Sequence, residues 1–221
     1  MLFRSLRESE GLTAGERADL GQRVERELDR IHTIIQTLLD YARGEEVRLI
    51  QQDLALPVAN ALSLLAHHPK ARALRILTVP PAVPVHVSMD ESRVVQVLLN
   101  LVLNASDAME GHGEVTIRWE QVGSREGEGW CRLTVADAGP GWAESMRGRA
   151  TQPFVTTKAA GQGTGLGLAI CERIAAELGG RLSLGDRDGG GAEVSLWLPL
   201  SVQSPALSSE SPVSWKYSRI L

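Results

Sequence analysis

The chain has 221 residues and a formal net charge of −4; that length can bury a sizeable core, and the charge lacks the basic surplus of a nucleic-acid-binding domain. Its two cysteines, Cys131 and Cys171, match no metal-ligand spacing, which predicts a reducing compartment. The opening MLFRSLRESE has no apolar signal-peptide core and no apolar run approaches the ~20 residues of a membrane span, so a cytoplasmic location is expected.

In chain order, Thr13 to Arg43 predicts one long helix. Val24, Leu28, Ile31, Ile35, Leu38 and Ala42 recur at steps of four and three, the seam of a helical bundle or coiled coil. Ile34, Leu39 and Tyr41 widen the stripe, which suits a four-helix bundle; packing on the chain's own domain is the plainer alternative. Gly44 is the stop. A strand is expected over Val47–Gln52, then a helix from an Asp53 cap to Ala66 and strands over Leu74–Val79 and Val83–Val87. Asp90 is a suitable N-cap for a helix running to Met109. Val115–Gln121 and Trp130–Ala136 alternate as a hairpin does. The irregular segment 137–164 precedes a helix over Leu166–Leu178 and strands over Arg181–Leu184 and Ala192–Leu198. From Ser201 the composition turns Ser/Pro-rich, as in a disordered tail. Strand runs with helices on one side predict an α+β two-layer sandwich. A loop as long as 137–164 is usually functional when ordered, and glycine motifs mark both its ends, so it reads as a lid.

Four motifs carry the chemistry. Asn100 and Asn104 stand at i, i+4 and share a helix face among Leu98, Leu99, Leu101, Val102 and Leu103. Amides in so apolar a helix need partners, and a hydrated Mg²⁺ with a triphosphate would supply them. Asp137 directly follows the strand Trp130–Ala136, with Gly139 and Gly141 opening the backbone beyond it, so it can accept from an adenine amino group; the same residues also make an ordinary turn. Gly161-Gln-Gly163-Thr164-Gly165-Leu166-Gly167 runs into a helix N-terminus, a place suited to phosphate. It is neither a Rossmann fingerprint nor a P-loop, since no strand precedes it and no Gly-Lys-Ser/Thr follows. Thr164 can add a hydroxyl. Lys158, after Phe154-Val-Thr-Thr157, is either a cation for the γ-phosphate or part of a solvated loop.

In this order the motifs resemble the N, G1, F and G2 boxes of histidine protein kinases, with a nitrogen-regulatory flavour in Asn104-Ala-Ser-Asp107-Ala-Met and Pro153-Phe-Val-Thr-Thr-Lys158. The resemblance covers roughly residues 47–200 and includes Asp90-x-x-Arg93-x-x-Gln96. It implies the Bergerat sandwich shared with gyrase, a heat-shock chaperone and mismatch-repair ATPases, with ATP and Mg²⁺ as ligands. By that similarity Asn104 would bind Mg²⁺, Asn100 would support the phosphates and Asp137 would read adenine. Lys158 would act at the γ-phosphate, and Asp107, Gly139, Gly141, Thr157, Gly163, Thr164, Gly165, Leu166 and Gly167 would complete the nucleotide set. Hydrolysing relatives carry a glutamate four residues before the magnesium asparagine. Asn100 replaces it here, and an amide has no basic lone pair for a water proton, so transfer is favoured over hydrolysis. Two positions depart from the family pattern: Thr151 replaces an aromatic or aliphatic residue, which predicts a looser lid, and Trp142 replaces a smaller aliphatic one.

The resemblance extends to the long helix, where Glu27-Leu-Asp-Arg-Ile31 through Leu38-Leu-Asp-Tyr-Ala-Arg43 is similar to the second helix of the family's dimerisation hairpin. That divides the chain into a truncated dimerisation helix (1–45), an ATP-binding catalytic domain (46–200) and the tail. The acceptor histidine normally lies on the first helix, followed by an acidic residue. His32 precedes Thr33, and His67, His68, His86 and His112 lie outside that context. The expectation is a kinase domain whose acceptor sits elsewhere. Its partners would be a histidine-bearing dimerisation domain or second kinase chain, a response regulator, and a second copy if the helix dimerises. Nucleic acid is not expected, nor a membrane segment in this chain. A silent ATP-binding interaction module and a slow ATPase are the alternatives.

Overall fold

The computed structural model describes residues 46–123, 129–146, 148–158 and 163–200, together with Thr13, Gly15, Arg17, residues 19–22 and Val24. The described residues from Gly15 to Val24 are helical, as expected. The rest of the predicted Thr13–Arg43 helix, Gly161 and the tail from Ser201 lie outside the described residues.

Among the described residues from Glu46 onward, seven strands and three helices follow in order: β1 (Ile50–Asp53), α1 (Ala55–Ala66), β2 (Leu74–Val79), β3 (His86–Met89), α2 (Glu91–Ala108), β4 (Gly113–Gly123), β5 (Gly129–Asp137), α3 (Gly167–Glu177), β6 (Arg181–Asp186) and β7 (Ala192–Pro199). Short 3₁₀ turns stand at Pro69–Ala71 and Glu144–Met146. One sheet has the order β2-β4-β5-β7-β6, with β2 and β4 parallel and the other pairs antiparallel. β1 and β3 form a separate antiparallel pair. The predicted two-layer α+β sandwich is the observed fold.

Alternation builds its core. Val115, Ile117 and Trp119 of β4 face the same way as Leu133, Val135, Leu196 and Leu198 of the neighbouring strands, and all are buried in one cluster. α2 closes over them with Val94, Val97, Leu98, Leu101, Val102 and Ala105; α3 adds Ile170, Cys171, Ile174 and Ala175. At ~25 cal/mol per Å² of apolar surface, this continuous face is the main stabilising term. The other sheet face is mixed: Glu120 opposes and pairs with Arg132, the hydroxyls of Thr134 and Ser195 meet at 2.9 Å, and Arg132 and Arg181 lie over the Trp197 ring.

Several boundaries differ from expectation. The strand placed at Val47–Gln52 begins at Ile50 and runs through Asp53, so Leu54 rather than Asp53 holds the N-cap position of α1, although Asp53 Oδ1 still accepts from Ala55 N–H at 3.0 Å. The strand placed at Val83–Val87 begins three residues later, at His86. Pro84 has no N–H for a ladder, and the Val85 carbonyl accepts from Leu54 N–H at 3.0 Å. Asp137 is the last residue of β5 rather than the residue after it, paired with Val115.

Asp90 caps α2, its Oδ1 accepting from the Ser92 and Arg93 amides at 3.1 and 3.4 Å; Oδ2 accepts from Arg48 N–H at 3.2 Å. Burial raises its pKa, but the Ser92 hydroxyl and the Arg48, Arg93 and Ser92 amides outweigh that and hold it below its ordinary value of 3.8. Asp90→Ala should therefore cost about 1 kcal/mol in urea denaturation. With the folded value depressed, the cap's contribution is present above pH 3.8 and lost as pH falls through the folded value. The gap between the two proteins should narrow in acid and stay constant from pH 5 to 8.

Candidate nucleotide-binding site

A cleft of about 910 Å³ opens between α2, the strands β5 and β7, the described residues of the 137–164 segment and the N-terminus of α3. The heptad-like spacing of α2 buries Val94, Val97, Leu98 and Val102 in the core and turns Gln96, Asn100, Asn104 and Asp107 to the cleft, where Leu101 and Leu103 add apolar lining. Behind Asn100 the buried Cys171 thiol donates to the Val97 carbonyl at 4.0 Å, and burial pushes that thiol up to about 12. Cys171 thus stays neutral as a packing residue, unfit for nucleophilic work.

At the inner end Asp137 is buried, and its Oδ1 accepts from Gly139 N–H at 2.8 Å and Ala192 N–H at 3.3 Å. Among the described residues Oδ2 has no partner of this kind, so the carboxylate is aimed with one oxygen available. Val135, Val194, Met146 and Trp142 supply apolar wall beside it. Gly191 must be glycine for this corner to close: its φ is +112°, and a Cβ there would lie 1.9 Å from the Asp137 carbonyl oxygen. Trp142 ties the start of the lid to β6 by donating from Nε1 to the Gly185 carbonyl at 2.8 Å.

At the outer end the glycine motif packs against both the lid and α2. Gly165 has φ +67°, and a Cβ would stand 2.5 Å from the Phe154 carbonyl carbon; Phe154 N–H donates to the Gly165 carbonyl at 3.0 Å. A Cβ on Gly167 would meet the Asn104 amide at 3.2 Å, and one on Gly163 would meet Lys158 and Thr156 at 2.9 Å. The bare backbone is what lets this loop lie beside the asparagines. Thr164 Oγ1 accepts from Leu166 N–H at 3.3 Å, and α3 starts at Gly167 with its N-terminus toward the cleft.

Asp107 organises the rim. Its Oδ1 accepts from Lys70 Nζ at 2.8 Å and its Oδ2 from Lys158 Nζ at 2.6 Å. Burial raises the Asp107 pKa, yet the hydrogen bonds and charges of Lys158 and Lys70 outweigh it and hold the carboxyl below its ordinary range.

Of the residues expected from sequence, Asn100, Asn104, Asp107, Asp137, Gly141, Thr157, Lys158, Gly163, Thr164, Gly165 and Gly167 line this one cleft. Gly139 stands behind Asp137 and Leu166 is buried in the core, so both support the site from outside its lining. Lys70, Met146 and Trp142 line it too. Lys70 belongs to no motif, and only the packing of the 69–71 turn on α2 brings it there. Among the described residues no three or more His, Cys, Asp or Glu side chains gather to hold a metal. Asn104, beside the glycine backbone, fits an ion that arrives with phosphate oxygens.

Residues 89–202 match the model of the family described as histidine kinase-, DNA gyrase B- and HSP90-like ATPases. The chain belongs to this ATPase family. It is 38% identical over 169 residues to the C4-dicarboxylate transport sensor protein DctB of Pseudomonas aeruginosa, covering 76% of this chain and 27% of DctB. It is 32% identical over 189 residues to the sensor histidine kinase ZraS of Escherichia coli K12, covering 85% of this chain and 39% of ZraS. The chain therefore spans well under half the length of these curated relatives. Among solved structures, full-length ShkA in complex with AMPPNP superposes with a TM-score of 0.67 at 28% identity, covering 90% of this chain and 42% of that one. Among the described residues no helix is long and apolar enough to cross a membrane.

The clamp between the glycine loop and the lid can be tested directly. Gly165→Ala forces a Cβ into the Phe154 backbone at a positive φ, so it should destabilise by roughly 1–3 kcal/mol. The Phe154 amide should exchange with solvent faster in the variant, while the Val135 amide in the central strand keeps its protection.

Proposed function

We propose that this chain is the ATP-binding catalytic part of a two-component sensor histidine kinase, transferring the γ-phosphate of ATP to a histidine on another segment or chain. The observation that carries this reading is the convergence of Asn100, Asn104, Asp137, Lys158 and Gly163–Gly167 on one cleft. The family membership and the names of ZraS and DctB support it.

Each group then has a role set by its chemistry. The free Oδ2 of Asp137 accepts from the adenine amino group, and Val135, Val194 and Met146 enclose the ring. The backbone at Gly163–Gly167 and the α3 N-terminus receive the phosphates, and Lys158 offers a mobile cation to the terminal one. The amide oxygen of Asn104 would be the protein's donor to Mg²⁺. When bound, that ion would neutralise charge on the phosphate oxygens. Asn100 supports the phosphates without acting as a base, so ATP waits for a better nucleophile than water. An imidazole nitrogen supplies it: its lone pair forms the N–P bond as the P–O bond to ADP breaks.

The acceptor belongs outside the 46–200 region. No histidine stands among the described residues lining the cleft. His67 and His112 instead bond the Ser63 and Glu110 carbonyls of their own turns, and His68 caps the 69–71 turn. A histidine-bearing hairpin is the immediate partner, a response regulator the next, and the seam of residues 13–43 suits pairing with a second copy. The cytoplasm, where ATP and a response regulator are both available, is the compartment this requires.

The test is to supply a separate dimerisation hairpin containing the acceptor histidine, with γ-labelled ATP and Mg²⁺. Acid-labile phosphate should accumulate on the hairpin and not on this chain, and Asn104→Ala should abolish it. Nucleotide binding without transfer would make the chain a silent interaction module. Steady phosphate release lost in Asn104→Ala would make it an ATPase.

A further inference from the structure

Lys70 and Lys158 reach the same carboxylate from different parts of the molecule. Lys158 is carried by the lid. Lys70 is carried by the domain body: its carbonyl accepts from Ser106 Oγ on α2 at 2.5 Å, and its N–H donates to His68 Nδ1 at 3.2 Å. Both lysines line the cleft with Asn104 and the glycine loop. Each takes a different oxygen of Asp107.

This division of labour takes effect once a triphosphate is bound, and so rests on ATP being the ligand, as proposed above. For Lys158 to serve the terminal phosphate it must leave Asp107 Oδ2. Without a second cation that exchange would leave a carboxylate bare beside a polyanion, and like charges at such range in a half-buried site repel appreciably. Lys70 removes the conflict. We infer that Lys70 is a positioning residue for triphosphate binding: as the resident counter-ion of Asp107, it frees the lid's Lys158 to move from that carboxylate to the terminal phosphate. Asp107 in turn is a holder of lysines and touches no phosphate itself. The geometry fits, because the Lys70 contact uses Oδ1 and is untouched when Oδ2 is vacated.

A counter-ion of this kind creates a coupling that a merely structural ion pair would not show. Affinities of the full chain for ATP and for adenosine, both with Mg²⁺, are measured by calorimetry for the wild type, Lys70→Met, Lys70→Arg, Asp107→Asn and the Lys70→Met/Asp107→Asn double variant. Lys70 is half exposed, so the expected effect is moderate. Lys70→Met should weaken ATP binding roughly three- to tenfold and leave adenosine unchanged. Lys70→Arg should keep wild-type affinity, and the double variant should return to the Asp107→Asn value, since no carboxylate then needs a partner. Wild-type affinity in Lys70→Met, or equal loss for ATP and adenosine, would overturn it. So would a double variant as weak as Lys70→Met, which would mean that Lys70 touches phosphate itself. A wild type that binds adenosine and ATP alike or not at all would instead bring down the ATP reading on which the inference rests.

Discussion

Everything about the site depends on α2 having two faces in a fixed angular relation. Its aliphatic residues must lie on the sheet, because Val94, Val97, Leu98 and Val102 are fully buried there. Once that face is fixed, the 3.6-residue period leaves Gln96, Asn100, Asn104 and Asp107 no place but the cleft wall. Hydrophobic burial thus aims the amides. Shifting α2 by one residue would expose aliphatic surface and swing the asparagines toward the sheet, so the core protects the site geometry.

The remaining parts attach to that wall through backbone. Gly167 allows α3 to start against the Asn104 amide, and Gly165 allows the glycine loop to clasp the end of the lid at Phe154. The lid is fastened at three points along its length: Trp142 to β6, Lys158 to Asp107, and Phe154 to Gly165. Trp142 and Thr151 were the two departures from the family pattern. Trp142 anchors the lid base and also lines the cleft, so the larger side chain has a structural use there. The distribution of charge follows the same logic. The Asp107 carboxylate holds two lysines, one on each oxygen, while among the described residues the Asp137 carboxylate is held by backbone amides on one oxygen alone.

Much of this was legible in the sequence, for identifiable reasons. The α2 and α3 helices, the β4–β5 hairpin and the closing strands carry strong local periodicity, and the cleft residues sit in short motifs where spacing alone fixes a shared face. Boundaries failed where a distant partner decides them: Val85 is drawn out of a strand by Leu54, and Asp137 is drawn into one by pairing with Val115. Lys70 was illegible because nothing local distinguishes it from any solvated lysine. Its role arises only when Ser106 of α2 captures its carbonyl. Gly139 and Leu166 carried motif signals of the right kind, yet they act from behind the site, one by donating to Asp137 and the other by filling the core below α3.

The central claim is that the amide face of α2 and the glycine loop together form one nucleotide site. Nuclear magnetic resonance on the ¹⁵N-labelled chain, titrated with Mg²⁺ and AMPPNP, tests it most directly. The side-chain amides of Asn100 and Asn104 and the backbone amides of Gly163, Gly165 and Gly167 should shift together along one saturable curve, while Arg132 and Ser195 on the outer sheet face stay still. Absence of saturable shifts at the asparagines and glycines, or shifts confined to the outer face, would contradict it.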